Sequence, residues 1–176
     1  MITKRSILIL DCTPKNDPSE GRLLKEFFQI CKLYKPVKGS ALCYKINSKK
    51  DFLNKLDTGK KYNIIHISAH GAPNNEIGIG NGTTWWAKPK EIQDTNHRAK
   101  LVFANACLAN NQAIAESFKG ADYFLAPNTK VDWMSAAIFS LMFYKRYIVD
   151  GKSMRSAFEY SRKRTQTTKD YPEYWR

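Results

Sequence analysis

The chain has 176 residues and a mass of 20.2 kDa, a length that favours one domain with a buried core over two domains. Its apolar share of 43% and charged share of 26% are those of ordinary globular proteins, which excludes collagen-like, low-complexity and disordered classes. The 29 basic and 16 acidic residues leave a net charge of +13, and this excess keeps nucleic-acid binding open as one hypothesis.

No segment of the sequence has the pattern of a membrane span or a secretory signal. The longest apolar runs, at 6–10 and 136–143, are far shorter than the roughly 20 residues of a membrane-spanning helix. The first of them is also shorter than the roughly 7–15 residues of a signal-peptide core. The four cysteines have no C-x-x-C spacing, so free thiols are expected rather than a zinc site or disulfides. We therefore expect a cytoplasmic protein without a membrane segment.

Hydrophobic patterning predicts strands that alternate with helices along the chain. The predicted strands are 7–10, 41–46, 62–68, 100–106 and 121–125. The predicted helices are 19–33, 48–56, 89–97, 111–118, 132–147 and 153–164. The run Gly80-Asn81-Gly82 is a hairpin turn signal. This alternation predicts one α/β domain, residues 1–176, whose parallel sheet has right-handed crossovers.

Two of the predicted strand ends carry reactive side chains. The third strand leads into His70 and Gly71, and the fourth leads into Cys107. Groups at the carboxyl ends of parallel strands meet at one edge of the sheet, and neighbouring strands lie about 4.8 Å apart. If these two strands are neighbours, His70 and Cys107 can meet. An imidazole beside a thiol can remove its proton and make the sulfur a nucleophile.

The same positions offer groups that stabilise negative charge. Gly71 has no side chain, so its N–H can approach a substrate carbonyl, and together with the Cys107 N–H it forms a candidate oxyanion hole. Cys107 would also lie where a strand meets the helix predicted at 111–118, whose dipole favours a thiolate. From spacing alone an alternative stays open, in which Cys107 is a small buried hydrophobe and His70 an ordinary loop residue.

Three blocks of the sequence follow one another in a characteristic order. They are IIHISAHG at 64–71, LVFANAC at 101–107, and a tail with GKSMRSAF at 151–158 and YPEYW at 171–175. These His-Gly, Cys and tail blocks resemble those of CHAT domains, which are caspase-like cysteine peptidases of the caspase–separase group. Their order within an α/β pattern makes the resemblance more specific than any block alone.

The resemblance implies a three-layer caspase-like (caspase–hemoglobinase) fold, with a mainly parallel six-stranded sheet between helices. It also implies that His70 is the general base and Cys107 the nucleophile of a bacterial-type endopeptidase. Cys107 would form a thioester with a protein or peptide substrate, without a cofactor, and a protein partner could regulate it.

Two features depart from the family pattern. Ala109 stands where a Gly or Ser is common, and the sequence ends at Arg176, where a last strand would be expected. The chain is therefore either trimmed or has its edge strand elsewhere.

Three further residues are candidate substrate contacts. Asp11 ends the first strand and could receive a basic side chain, although an Asp before Thr-Pro often only shapes a turn. Asn105 lies just before Cys107 and could hydrogen-bond in the same pocket or serve only the backbone. Trp85 follows the predicted hairpin and could form an aromatic wall for a substrate or partner, with core packing as the alternative.

Other residues fit structural roles better. His66 and His70 have a spacing that would suit a metal on a helix, but their Ile-rich surroundings predict a strand, so no metal site is expected. Cys12, Cys31 and Cys43 fit structural positions. The basic residues after residue 144 predict a solvated surface for an acidic protein partner or substrate, and nucleic acid is not the expected ligand. A catalytically silent caspase-like interaction module is the main alternative function.

Overall fold

Five parallel strands form the central sheet of the computed structural model, which describes residues 6–34, 41–72 and 76–172. Three short strands form a second, smaller sheet. In chain order the strands of both sheets are β1 (Ile7–Asp11), β2 (Ala41–Lys45), β3 (Lys61–Ser68), β4 (His70–Gly71), β5 (Ile79–Gly80), β6 (Trp86–Ala87), β7 (Arg98–Asn105) and β8 (Ala121–Leu125). The central sheet has the order β2-β1-β3-β7-β8, and each neighbouring pair is parallel. All five predicted strands are therefore present, with small shifts at their ends.

Helices cover both faces of this sheet. In chain order they are α1 (Glu20–Tyr34), α2 (Lys49–Leu56), α3 (Pro89–Gln93), α4 (Gln112–Ser117), α5 (Trp133–Tyr144), which continues as a π-helical segment (Lys145–Val149), and α6 (Met154–Arg164). Phe52, Ile92 and Ile114, from α2, α3 and α4, belong to the core on one face. Phe139 and Phe158, from α5 and α6, belong with residues of α1 to the core on the other face. This three-layer arrangement around a parallel sheet is the predicted fold class.

Alternation along the strands explains why there are two cores. In β1, Leu8 and Leu10 belong to one core, whereas Ile7 and Ile9 belong to the other, because successive side chains of a strand point to opposite faces. Every residue of β1 is buried, which explains its nearly continuous apolar sequence. Each fully buried aliphatic side chain of this kind contributes roughly 1.5–3 kcal/mol to the free energy of unfolding.

Polar side chains determine where five of the helices begin. In each of them the residue before the first turn accepts a hydrogen bond from a backbone N–H of that turn, as N-caps do. The caps are Ser19, Ser48, Asn111, Asp132 and Ser153. α3 ends at Gln93 rather than at the predicted His97, because Thr95 turns the chain by donating its hydroxyl to the Ile92 carbonyl. Within the described ranges, no helix is both long and apolar enough to span a bilayer.

A small antiparallel sheet follows β3 directly. β4 pairs with β5, and β5 pairs with β6. The predicted turn at Gly80-Asn81-Gly82 joins β5 to β6, and the Asn81 side-chain oxygen accepts the backbone N–H groups of Thr83, Thr84 and Trp85. The hairpin prediction is thus confirmed. Because β4 consists of His70 and Gly71, this sheet holds the predicted base at the carboxyl edge of the central sheet.

Candidate active site

The carboxyl ends of β3 and β7 bring His70 and Cys107 to one cavity. The two strands are neighbours, with Ser68 paired to Asn105, and the Ala69 N–H donates to the Asn105 carbonyl at 3.3 Å. The condition under which His70 and Cys107 can meet, that their strands are neighbours, is therefore met. A cavity of about 50 Å³ lies beyond their ends, lined by Ala69, His70, Asn105, Cys107, Pro127, Val131, Trp133 and Ala136.

The backbone of Gly71 lies against the backbone of Cys107. A Cβ atom added to Gly71 would overlap the Cys107 carbonyl oxygen. The two main chains can approach this closely only because glycine has no side chain. Since Gly71 follows His70 directly, this contact fixes the backbone of the predicted base relative to that of the predicted nucleophile.

Replacing Gly71 by alanine should force these two backbones apart. We expect Gly71→Ala to lower the free energy of unfolding by about 1–3 kcal/mol, the usual cost of adding a methyl group to a packed site. Urea unfolding followed by circular dichroism measures the effect. An unchanged midpoint would mean that the contact between Gly71 and Cys107 is looser than the structure shows.

Cys107 lies in a tight turn that follows β7. The Ala109 N–H donates to the Ala106 carbonyl at 3.1 Å, and Leu108 has a φ of +60°, which costs energy for a residue with a side chain. The Cys107 thiol donates to the Val131 carbonyl at 3.7 Å. The positive φ falls on Leu108, so the departure from Gly or Ser at Ala109 is compatible with this turn.

The helix expected to favour a Cys107 thiolate starts too far along the chain. α4 begins at Gln112 and has six residues, and the Asn111 side chain already accepts the Ile114 N–H at 3.0 Å. The turn at 106–109 separates Cys107 from this helix. The effect of a helix dipole is confined to the first turn of the helix. The expectation that this helix favours a Cys107 thiolate is therefore wrong.

His70 is held between a carboxylate and an aromatic ring. Its Nε2 lies 3.2 Å from Oδ2 of Asp17, and its ring centroid lies 5.1 Å from that of Trp133 in an edge-to-face contact. The side chains of His70 and Asp17 are 30% and 37% exposed. When Nε2–H donates to Asp17, the neutral imidazole keeps its lone pair on Nδ1. Nδ1 is then the atom that can accept a proton.

Asp17 is a site residue that the sequence analysis missed. It lies in the loop after β1, where its N–H donates to the Pro14 carbonyl at 3.2 Å. β1 is the neighbour of β3 in the sheet, so this loop lies within reach of His70. An acidic residue in the loop after the adjoining strand was the signal that could have identified it.

We expect Asp17 to orient the His70 ring. For the peptidase activity that the family resemblance implies, Asp17→Asn should lower kcat about tenfold, much less than the roughly 10⁴-fold loss known for a buried triad carboxylate, because water can partly replace a side chain that is 37% exposed. Steady-state kinetics give kcat and KM separately. Asp122→Asn, at an exposed position of β8, controls for the change in net charge. Equal kcat values for both variants would contradict the orienting role.

Asp11 is not among the residues that line the cavity. It is buried, and its carboxylate accepts hydrogen bonds from the Thr13 N–H at 3.1 Å, the Thr13 hydroxyl at 2.6 Å and the Ser19 hydroxyl at 2.5 Å. It also pairs with Lys45 at 3.3 Å. These internal contacts support the turn alternative rather than a substrate contact.

Trp133, rather than the candidate Trp85, is the tryptophan at the cavity. Trp85 is 8% exposed and packs in the core, with its ring centroid 5.8 Å from that of Phe52, so it is not the aromatic wall. Trp133, at the start of α5, lines the cavity instead. Its helix was predicted correctly, but its position against His70 depends on how α5 packs on the sheet.

Asn105 lines the cavity, but its amide serves the protein interior. Nδ2 donates to Glu20 Oε1 at 2.7 Å and also contacts the Ser140 hydroxyl at 3.2 Å and the Ala136 carbonyl at 3.3 Å. Oδ1 accepts the Tyr171 hydroxyl at 2.6 Å. Because the amide nitrogen and oxygen of Asn105 both bond within the protein, the structure does not support a hydrogen bond from Asn105 to a substrate.

The buried polar network continues from Glu20 to His66 and Tyr144. Glu20 and His66 are 3% and 0% exposed, and Nε2 of His66 lies 3.2 Å from Oε2 of Glu20, at ion-pair distance but not aligned as a hydrogen bond. The Tyr144 hydroxyl lies 2.8 Å from His66 Nδ1. Burial, and secondarily the Glu20 carboxylate, raises the pKa of Tyr144 and of Tyr171. Both phenols therefore stay protonated and can donate.

His66 and His70 have separate partners. His66 faces Glu20 and Tyr144 inside the core, whereas His70 contacts Asp17 at the cavity. In the described part of the chain, no three His, Cys, Asp or Glu side chains are grouped so that they could hold a metal ion.

The thiols of the three cysteines outside the cavity ionise less readily than an ordinary cysteine thiol. Burial is the largest cause that raises the pKa of Cys12, Cys31 and Cys43, and the Asp11 carboxylate raises the pKa of Cys12 and Cys43 further. A raised pKa leaves a smaller fraction of reactive thiolate at neutral pH. All four cysteines are free, which confirms the prediction of free thiols.

Comparison with solved structures identifies the fold. The chain is similar to the Arg-specific cysteine proteinase gingipain R, with a TM-score of 0.59 and 11% sequence identity over 96% of this chain and 45% of that one. It is also similar to the Drosophila initiator caspase Dronc, with a TM-score of 0.56 and 8% identity over 99% of this chain and 80% of that one. The chain has a caspase-like fold. It spans less than half the length of the gingipain chain.

The caspase-like fold confirms the predicted fold class, and it does so through structure alone. No family model matches the chain, and no curated protein matches it in sequence. Of the tail block, Tyr171 stacks on Phe139 with ring centroids 4.0 Å apart, while residues 173–175 lie outside the described residues. The sixth strand that the resemblance implies is not found in the described ranges.

Proposed function

We propose that this protein is a caspase-like cysteine endopeptidase of the CHAT type, with Cys107 as nucleophile and His70 as general base. One observation carries the proposal: both side chains line one cavity at adjoining strand ends of a caspase-like fold. Gingipain R, which shares the fold, is by its name a cysteine proteinase. A single domain over residues 1–176 and a bacterial, cytoplasmic setting belong to the proposal, and four free cysteines suit a reducing compartment.

The proposed reaction proceeds through a thioester. His70 takes the thiol proton of Cys107, and the sulfur attacks the carbonyl carbon of the peptide bond. The N–H groups of Gly71 and Cys107 stabilise the oxyanion of the tetrahedral intermediate. As the C–N bond breaks, His70 gives its proton to the leaving amine and the acyl group stays on sulfur. His70 then takes a proton from water, which attacks the thioester and releases a carboxylic acid and the thiol.

A protein with an acidic surface is the proposed substrate or regulatory partner. The chain carries a net charge of +13, and the last turn of α6 holds Arg162, Lys163 and Arg164. Arg162 pairs with Glu159 at 2.9 Å, whereas Lys163 and Arg164 are exposed. A basic surface of this kind speeds encounter with an acidic protein and makes binding sensitive to salt.

A catalytically silent caspase-like module for protein interaction is the second candidate. The observation that favours it is the hydrogen bond from the Cys107 thiol to the Val131 carbonyl at 3.7 Å. In this arrangement the thiol is bonded to a backbone carbonyl rather than to His70, and His70 is bonded to Asp17. A silent module would leave Cys107 in this state when a partner binds.

Alkylation with iodoacetamide at pH 7 separates the two candidates. If His70 activates Cys107, mass spectrometry should show Cys107 modified before the other three cysteines, and His70→Ala should slow this modification roughly tenfold or more. Cys43, which is half-buried, provides the internal reference within the same sample. Equal rates for Cys107 and Cys43, or no effect of His70→Ala, would favour the silent module.

A further inference from the structure

We propose that the cavity beside Cys107 is the specificity pocket of the peptidase and selects a small, uncharged side chain on the residue before the cleaved bond. This inference rests on the peptidase function proposed above. The side chain nearest to the attacked carbonyl belongs to that residue. Since Cys107 itself lines the cavity, a peptide bound with its carbonyl at the sulfur has this side chain within reach of the cavity.

The size of the cavity limits what it can hold. Its volume is about 50 Å³, whereas an engineered apolar cavity that holds benzene measures roughly 150 Å³. The side chain of Ala or Ser fits such a space, and an aromatic or long side chain does not. Trp133 forms part of the wall and also contacts the His70 ring at 5.1 Å, so the cavity cannot widen on this side without disturbing the base.

The chemistry of the wall disfavours a charged side chain. Ala69, Pro127, Val131 and Ala136 contribute apolar groups. Asn105 is the polar residue besides His70 and Cys107 among those that line it, and its amide is bonded to Glu20, Ser140 and Tyr171. A charged side chain would lose its hydration in this cavity without gaining a partner.

Three carboxylates lie near the cavity, those of Glu20, Asp17 and Asp132, but none of these residues is among those that line it. Glu20 is 3% exposed and is reached only through Asn105, whose amide it binds at 2.7 Å. Asp17 contacts Nε2 of His70 at 3.2 Å. Asp132 is exposed and accepts the Ser135 N–H at 2.9 Å as the N-cap of α5. An Arg or Lys side chain would have to compete with His70 for Asp17 or with the α5 cap for Asp132, so a basic residue is disfavoured along with an acidic one.

A peptide series with one varied position tests the inference. Fluorogenic peptides differ only in the residue before the coumarin amide, which is Ala, Ser, Leu, Phe, Arg or Asp. We expect kcat/KM to be at least about 100-fold higher for Ala and Ser than for Phe, Arg and Asp, and about tenfold higher than for Leu. The highest rate for Arg, Asp or Phe would overturn the inference while leaving the peptidase function standing.

Enlarging the pocket should shift this preference. Val131→Ala keeps the backbone carbonyl that accepts the Cys107 thiol and removes two methyl groups from the wall. We expect kcat/KM for the Leu peptide to rise about tenfold relative to the Ala peptide. Val149→Ala, the same change at a half-buried position that does not line the cavity, should leave this ratio unchanged.

The possible outcomes distinguish a failure of the pocket assignment from a failure of the peptidase function. An unchanged ratio of Leu to Ala cleavage in Val131→Ala would show that this cavity is not the specificity pocket, although cleavage itself would persist. Absence of cleavage of every peptide, together with slow alkylation of Cys107, would remove the peptidase function and the pocket assignment with it.

Discussion

Cys107→Ala and His70→Ala should each lower kcat/KM for peptide hydrolysis by about 10³-fold or more. The first variant removes the thiol that lines the cavity and acts as nucleophile, and the second removes the group that takes its proton. Because the two side chains act as a unit, the double variant should lose little more activity than either single variant. Initial rates on a quenched fluorescent peptide library measure all three.

Matched variants separate catalysis from folding. Cys43→Ala makes the same chemical change at a cysteine outside the cavity and should keep the activity of the unmodified protein. The melting temperatures of Cys107→Ala and His70→Ala should lie close to that of the unmodified protein, because both side chains are partly exposed. Full activity in folded Cys107→Ala would contradict its role as nucleophile.

Glu20→Ala should lower the free energy of unfolding by about 3–5 kcal/mol, the largest effect on stability that we expect. Glu20 binds Asn105 at 2.7 Å and lies 3.2 Å from His66, and all three residues are buried. Removing the carboxylate leaves both partners without it in a site that water does not reach, and the loss of one partner from such a buried pair is strongly destabilising. Urea unfolding measured by circular dichroism gives the value.

Glu26→Ala provides the control on the same helix. Glu26 is exposed on α1, so its replacement should change the free energy of unfolding by no more than about 0.5 kcal/mol. Glu20→Gln, which keeps a polar group of the same size, should recover part of the loss. Equal stability of the Glu20→Ala and Glu26→Ala variants would contradict the account of the buried network.

The strands, and the placement of His70 and Cys107 at one cavity, could be predicted from the sequence for a physical reason. A parallel strand that is buried on both faces is nearly continuously apolar, as at 7–10, and it ends where polar residues begin. Reactive residues directly after such strands are carried to one edge whenever the strands adjoin. The identity of His70 and Cys107 as cavity residues therefore follows from local pattern and sheet topology.

The side chains that contact His70 and Asn105 could not be predicted from the local sequence pattern. Asp17 meets His70, Glu20 meets Asn105, and Tyr171 reaches Asn105 across 66 positions of sequence. Such contacts depend on how loops and helices pack on the sheet, which local periodicity does not specify.

Asp11 and Trp85 were candidate substrate contacts because of their positions in the sequence alone. Their places at a strand end and beside a hairpin are visible in sequence, whereas the direction of each side chain is set by packing.

Detection of a thioester on Cys107 tests the central claim most directly. A p-nitrophenyl ester of a peptide that the protein cleaves is mixed with the protein and quenched in acid within the first turnover, and intact and peptide-level mass spectra are recorded. The account predicts a mass gain equal to the acyl group, located on Cys107, removed by hydroxylamine, and absent from Cys107→Ala. Turnover without any adduct, or an adduct on a different residue, would contradict it.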